Sequence, residues 1–439
     1  MVKISAVKKF VFEEETNMAK VIINAIVAQS GGPTAVINSS VCGVIQEAKR
    51  SKKIGRVLAA NNGILGVLKE ELFDVSAEKP SAIEALKRTP SAAMGSCRYK
   101  LKSLEESKAD FDRVLDVFKA HDIRYFFYAG GNDSMDTADK VNKLAAQRGY
   151  ELVCIGIPKT IDNDLAYTDH CPGFGSVAKY VATCAMEAGR DTDALYTHDT
   201  CTILEVMGRN AGWIAAATGL AARAEEDSPH LIYMPEAAFT WEKFVNDVKE
   251  VYKRLGKVFI VVGEGLKDAN GKYVTADSGA FAKDSFGHVQ LGGVADMLKA
   301  VIEKEVGIKA RTQKLGTNQR ASMHFASLTD VNEAYMCGKM AVKMALSGVN
   351  GKMITLVRAK GEKYKCTTGL AELKDVANGE KKVPREYINE RGNHITEACR
   401  KYIGPLIKGE APITIGKDGL PVYVRLARKL IDKKLANYL

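Results

Sequence analysis

Short apolar runs recur along this chain, and each leads into an amphipathic stretch of helical period. The runs lie at 21–28, 123–129, 151–157, 201–206, 257–262 and 353–358, with helical stretches at 34–49, 106–119, 134–148, 175–189, 211–223, 241–255, 293–306 and 330–347. Strands that are apolar throughout must be covered on both faces, so the alternation predicts an α/β fold of mostly parallel sheets between helical layers. In open parallel sheets ligands bind beyond the carboxyl ends of the strands. The loops after the runs are therefore where a site is expected. Beyond about residue 360 the chain becomes more basic and loop-rich.

Composition narrows the class. A hydrophobic content of 46% and a charged content of 26% describe an ordinary globular chain long enough, at 439 residues, for two or three domains. The net charge of +10 is diffuse; its one local run (Lys49, Arg50, Lys52, Lys53) reads as a solvated helix end. Anionic small substrates suit that balance, and nucleic acid is not expected as a partner. No apolar run reaches the ~18–20 residues of a membrane span. Residues 1–20 turn acidic before any apolar core develops, which argues against a secretory signal. Nine irregularly spaced cysteines without zinc spacing read as free thiols in a reducing compartment, which points to the cytoplasm.

The loops carry the chemistry. Gly31 and Gly32, after the first run, open a helix: either a phosphate cradle of backbone amides or a tight turn that needs glycine. A second turn, Gly130-Gly131-Asn132-Asp133-Ser134, places an acid where an anion would sit; Asp133 and Ser134 either cap the helix or serve a ligand. Then comes Pro158-Lys159-Thr160-Ile161-Asp162-Asn163-Asp164, the strongest local signal. In an extended loop Asp162 and Asp164 face the same side, and paired carboxylates raise each other's proton affinity, which suits a general base. Glu205-Val206-Met207-Gly208-Arg209-Asn210, Gly263-Glu264-Gly265, Arg311, Arg320 and Arg98 supply cations and a carboxylate near strand ends, each of which is also compatible with an ordinary surface role.

The ordered set GGNDS, PKTIDND, EVMGRNAGW, GEG and LGTNQR closely resembles the phosphofructokinase family over about residues 20–360. The resemblance implies two doubly wound, Rossmann-like lobes with the active site in the cleft between them. Residues 21–173 plus 319–375 would form a phosphoryl-donor lobe and 174–318 plus 376–439 a sugar-phosphate lobe with a C-terminal extension, after an N-terminal extension of 1–20. It implies transfer of a phosphoryl group to the 1-hydroxyl of fructose 6-phosphate, a step of glycolysis. Asp162 would be the base, Thr160 would contact the transferred group, and Asp164 would orient the site. Met207, Gly208, Arg209, Glu264, Arg311 and Arg320 would hold the sugar phosphate. Gly31, Gly32, Arg98, Gly131, Asp133, Ser134 and Lys159 would face the donor, and Asn132, Asp133 and Asp164 would hold Mg²⁺. A homodimer or homotetramer is implied as well.

Two positions bear on the donor. Members that use ATP typically carry glycine where this chain has Asp133 and Lys159, and members that use pyrophosphate carry an acid and a lysine. An acid at 133 places negative charge where a nucleotide's α-phosphate must pass, and Lys159 adds a cation for a compact tetra-anion. Pyrophosphate is therefore the expected donor, with ATP as the alternative. Asn132 departs from the aspartate many members use near Mg²⁺. Thr200 and Thr317 replace an arginine and a histidine of short relatives; Tyr387, Arg391 and Lys363 are candidates to take over their work. A catalytically silent regulatory subunit would be expected to lose the TIDND base, which is complete here. A nicotinamide or lipid kinase would share only the GG turn.

Overall fold

The structure, a computed structural model, describes residues 23–99, 101–275 and 293–438; the expected N-terminal extension lies outside the described residues. Its strands are β1 (Ile23–Gln29), β2 (Ile54–Ala60), β3 (Leu72–Asp74), β4 (Ile123–Gly130), β5 (Val153–Pro158), β6 (Cys201–Val206), β7 (Leu231–Tyr233), β8 (Val258–Gly263), β9 (Ala310–Lys314), β10 (Lys352–Arg358) and β11 (Cys366–Glu372). They form a seven-stranded sheet of order β11-β10-β5-β4-β1-β2-β3 and a four-stranded sheet of order β7-β8-β6-β9. The small sheet is parallel throughout, and the large one is antiparallel only where β3 and β11 pair at its edges.

Both sheets are covered on two faces, as buried apolar strands require. Helices Ile37–Arg50 and Leu328–Leu346 cover one face of the large sheet, and Lys108–Ala120 and Asn132–Gln147 the other. The first pair cross so closely that a Cβ on Gly43 would lie 2.3 Å from the Tyr335 carbonyl oxygen, and one on Gly338 would lie 1.8 Å from that of Ser40. The small sheet lies between Phe174–Leu195 and Trp213–Thr218 on one side and Trp241–Leu255 and Val294–Glu305 on the other.

The C-terminal segment departs from the expected division. Val383, Ile388, Ile395, Cys399, Ile403 and Leu406 pack on the smaller lobe. The last stretch instead returns to the larger lobe. Ile431 N donates to Leu72 O (2.8 Å), Leu430 bridges Phe73, and the amides of Lys434 and Leu435 donate to the buried Glu70 carboxylate at 2.6 and 3.1 Å. Burial alone would raise the Glu70 pKa. Those amides and His121 outweigh it and hold the carboxyl below its ordinary range. An edge strand and a buried acceptor draw the tail across, and neither shows as a composition break in the tail itself.

Candidate active site

The carboxyl ends of β1, β4 and β5 in one lobe and of β6 and β8 in the other open onto one cleft of about 580 Å³. Its walls include Gly31, Gly32, Arg98, Gly131, Asn132, Asp133, Ser134, Lys159, Thr160, Asp162, Asp164, Met207, Arg209, Glu264 and Arg320. Loops far apart in sequence thus meet at the strand ends where parallel topology puts them.

Asp162 and Asp164 do face the same space, but by a different route from simple strand alternation. Asn163 between them sits at φ 53° in the left-handed region and turns its side chain into the core. Asparagine tolerates that conformation better than most residues. Thr160 Oγ1 accepts from Asp162 N (3.1 Å) and donates to the Asp164 carboxylate. Burial, then the neighbouring Asp164 and Glu264, pushes the Asp162 pKa up to about 7; burial also raises Asp164. A carboxylate poised near neutrality is suited to take a proton from an alcohol.

Lys159 follows β5 with only 3% of its surface exposed, and its ammonium donates to Gly32 O at 2.7 Å. Burial pulls its pKa down to about 8 against the opposing pull of Asp162 and Asp164. Ser96 Oγ donates to Gly31 O (2.6 Å) and Gly31 N to Cys97 O (3.1 Å), which ties the Arg98 loop to the first glycine turn. Gly131 then begins the helix Asn132–Gln147, with Asp133 in its first turn. Thr34 Oγ1 accepts from Ile37 N (2.9 Å), so this hydroxyl caps its helix.

On the opposite wall, Gly208 at φ 130° donates its amide to Glu264 Oε1 at 3.4 Å. A Cβ on Gly265 would lie 1.8 Å from Arg209 O, so the two loops touch backbone to backbone. Burial raises the Glu264 pKa. Gln319, buried beside Arg320, accepts from Met207 N (3.0 Å) and fixes the register of that loop. Glu205 takes the amides of Gly293 (3.2 Å) and Ala295 (2.9 Å) and so caps the helix Val294–Glu305, a supporting role.

Several expected residues do not line the cleft. Arg311 pairs with Asp191 and with Asp199 (3.6 Å) and donates to Thr202 Oγ1 (3.2 Å). Arg391 is held by Asp247 and Glu250, each at 2.7 Å. Tyr387 packs its ring on Trp213 and Tyr402. Each finds its partner within this lobe, and sequence alone does not reveal such pairings. Gly208 acts through its backbone behind the lining, and Lys363, Thr200 and Thr317 also lie outside it. Conversely, Glu380 and Asn210 line the cleft without having been expected there. Asn210 sat inside a motif already singled out; Glu380 lies in the polar stretch Asn378–Lys382, which carries no recognisable signal.

Behind the loop after β5, His170, Glu333 and Cys366 bring ligand-type atoms within 4.8 Å of one another. The His170 nitrogens already meet Asp169 (2.8 Å) and Glu333 (2.7 Å), and Tyr364 donates to the other Glu333 oxygen (2.5 Å). This is a satisfied hydrogen-bond network that packs the loop. All nine cysteines are unpaired thiols, and among the described residues no helix is long and apolar enough to cross a membrane.

Comparison with known proteins agrees with this geometry. The family description "Phosphofructokinase" matches residues 24–345. A protein of Xanthomonas campestris pv. campestris, named pyrophosphate–fructose 6-phosphate 1-phosphotransferase, is 52% identical over 415 residues, covering 94% of this chain and 98% of its own. One of the same name from Halomonas elongata is 49% identical, covering 94% and 99%. The crystal structure of a pyrophosphate-dependent phosphofructokinase from Marinobacter aquaeolei superposes with a TM-score of 0.85 at 46% identity, covering 95% of this chain and all of that one. With its five loops gathered on one cleft and these likenesses along nearly its whole length, the chain belongs to the phosphofructokinase family.

Proposed function

We propose that this chain transfers a phosphoryl group reversibly from pyrophosphate to the 1-hydroxyl of fructose 6-phosphate, giving fructose 1,6-bisphosphate and phosphate. The observation that carries the reading is Lys159, a buried ammonium in the cleft wall that also holds Asp162 and Asp133. A buried cation costs free energy unless an anion meets it, and a compact polyanion with no nucleoside is suited to meet it there.

In this reading Asp162 takes the proton of the 1-hydroxyl, whose oxygen attacks the terminal phosphorus as the P–O–P bond breaks and phosphate leaves. Lys159, Arg98 and the N-terminal end of helix Asn132–Gln147 meet the donor's charge, and Arg320 and Thr160 meet the group in transfer. Met207, Arg209 and Glu264 hold the sugar phosphate. Asp133 keeps a nucleotide's α-phosphate out.

The residues present suit Mg²⁺. Asn132 Oδ1 is buried without a hydrogen-bond partner, in a wall shared with the hard oxygen donors Asp133 and Asp164. Those three would hold the ion, which when bound supplies charge neutralisation on the phosphoryl oxygens. The family likeness supports a homodimer or homotetramer, and nine free thiols support work in the cytoplasm.

Coupled assays with each donor test the reading. Turnover with pyrophosphate is expected to exceed that with ATP by at least a hundredfold, and the reverse order would overturn the donor assignment. A second test concerns the sugar wall. Gly265→Ala drives a methyl into Arg209 O, so it is expected to raise the fructose 6-phosphate KM by about tenfold or more, with the pyrophosphate KM little changed. Steady-state kinetics in both substrates would show whether the effect is confined to the sugar.

A further inference from the structure

The reading of Asp162 as base leaves open what holds its loop. Asn163 points away from the cleft and is fully buried. Its Oδ1 accepts from Cys171 N (3.0 Å) and Lys381 Nζ (3.2 Å), and its Nδ2 donates to Tyr402 Oη (3.1 Å). Lys381 also donates to Asp169 O (2.7 Å) and Thr168 O (3.3 Å), and Tyr402 Oη donates to Asp169 O (2.5 Å). The ammonium's three donors thus converge on neutral oxygens of one loop, and among the described residues Lys381 forms no ion pair.

The backbone of the same segment reaches both walls. Lys381 N donates to Asp164 O (2.8 Å), Lys381 O accepts from Trp213 Nε1 (3.0 Å), and Val383 N donates to Glu236 Oε1 (3.0 Å). Glu236 in turn takes the amide of Gly212, next to the Met207–Ala211 loop. The stretch from Glu380 to Val383 therefore ties the loop after β5, in the larger lobe, to the sugar wall of the smaller one. An ammonium set among neutral oxygens and the Trp213 ring, 5.4 Å away, with no carboxylate at ion-pair distance among the described residues, is costly to desolvate, and its three hydrogen bonds hold the loop from behind.

We infer that Lys381, acting through Asn163, is a positioning residue for the reaction: it locks the Asp162–Asp164 turn from behind and sets the base against the sugar wall. Neither residue lines the cleft. Loss of the lock lets the base wander while both binding walls persist, and displacements of about 1 Å at a reacting group can cost roughly a hundredfold in rate.

The inference rests on the proposed phosphotransfer, and the test separates the two. Lys381→Met and Asn163→Ala are each expected to lower kcat about 10–100-fold, with both substrate KM values within about threefold. The double variant should be no slower than the worse single, because both act through one contact. Tyr402→Phe, which keeps the packed ring and loses only the hydroxyl, should lower kcat less, by about 3–10-fold, and serves if the larger changes fail to fold. If the unaltered chain transfers no phosphoryl group from pyrophosphate, the proposed function fails. If it does and the variants keep kcat, with only a lowered Tm, the residues are merely structural and the inference is overturned. A raised fructose 6-phosphate KM at unchanged kcat would make Lys381 a substrate ligand and would equally overturn it.

Discussion

Asp162→Asn is expected to lower kcat by about a thousandfold while fructose 6-phosphate still binds, because the amide preserves shape and removes the carboxylate proposed to take the proton. Calorimetric titration of the sugar phosphate into the variant separates lost chemistry from lost binding. The sign of the pH dependence follows from the raised pKa. In the proposed mechanism Asp162 works as the carboxylate, and burial beside Asp164 and Glu264 pushes its pKa up to about 7. In the unaltered enzyme kcat/KM should therefore fall as pH drops through neutrality, well above the range of an exposed aspartate. Near-normal turnover in the asparagine variant would remove Asp162 from the mechanism.

The legibility of that residue has a physical basis. The residues proposed for the chemistry sit where apolar strands end, and strand ends are marked by abrupt changes from β-branched runs to glycine and charge. Strands β1, β4, β5, β6, β8 and β10 are buried over most of their length, so their runs stand out in sequence. Strand β2 (Ile54–Ala60) escapes notice because exposed Gly55 and Arg56 interrupt its apolar run, and the other strands that escape are of another kind. β9 (Ala310–Lys314) and β11 (Cys366–Glu372) are half-exposed and polar, and β3 and β7 are three residues long. Hydrophobic patterning carries no signal for an edge strand stabilised by backbone pairing alone.

A similar limit governs the site. The TIDND and MGR loops are contiguous in sequence, so their chemistry can be read locally. Glu380 lines the same cleft and Lys381 meets Asn163 behind it across more than 200 residues of chain, from a segment of lysines and glycine that looks like surface. Arg311 and Arg391 err in the opposite direction. An arginine near a strand end invites a ligand, yet Asp191 and Asp199, or Asp247 and Glu250, are placed beside them by folding. Which partner an arginine meets is a tertiary fact. Asn163 shows both cases together: the motif displays it, and only the turn reveals that its side chain faces backwards.

Lys159→Met should nearly abolish use of pyrophosphate, with kcat/KM for that donor lowered about 100–1,000-fold. That corresponds to the roughly 3–4 kcal/mol of transition-state stabilisation that one well-placed donor supplies in a buried site. Methionine matches the stem and keeps the packing, so the loss reports the ammonium. Two further signatures distinguish this role from general damage. The lysine must be charged to meet the donor, and burial has lowered its pKa to about 8, so the pyrophosphate KM of the unaltered enzyme should rise as pH climbs through that value. The variant should lose this alkaline dependence. Its acid limb should also move upward, because the cation that favours the ionised form of Asp162 has gone. The fructose 6-phosphate KM should change little, since Met207, Arg209 and Glu264 lie on the other wall. Asp133→Gly makes the companion measurement: removing the acid from the first turn of its helix should raise turnover with ATP relative to pyrophosphate. If Lys159→Met left the pyrophosphate kinetics intact across pH 6–9, the buried cation would have no part in donor recognition.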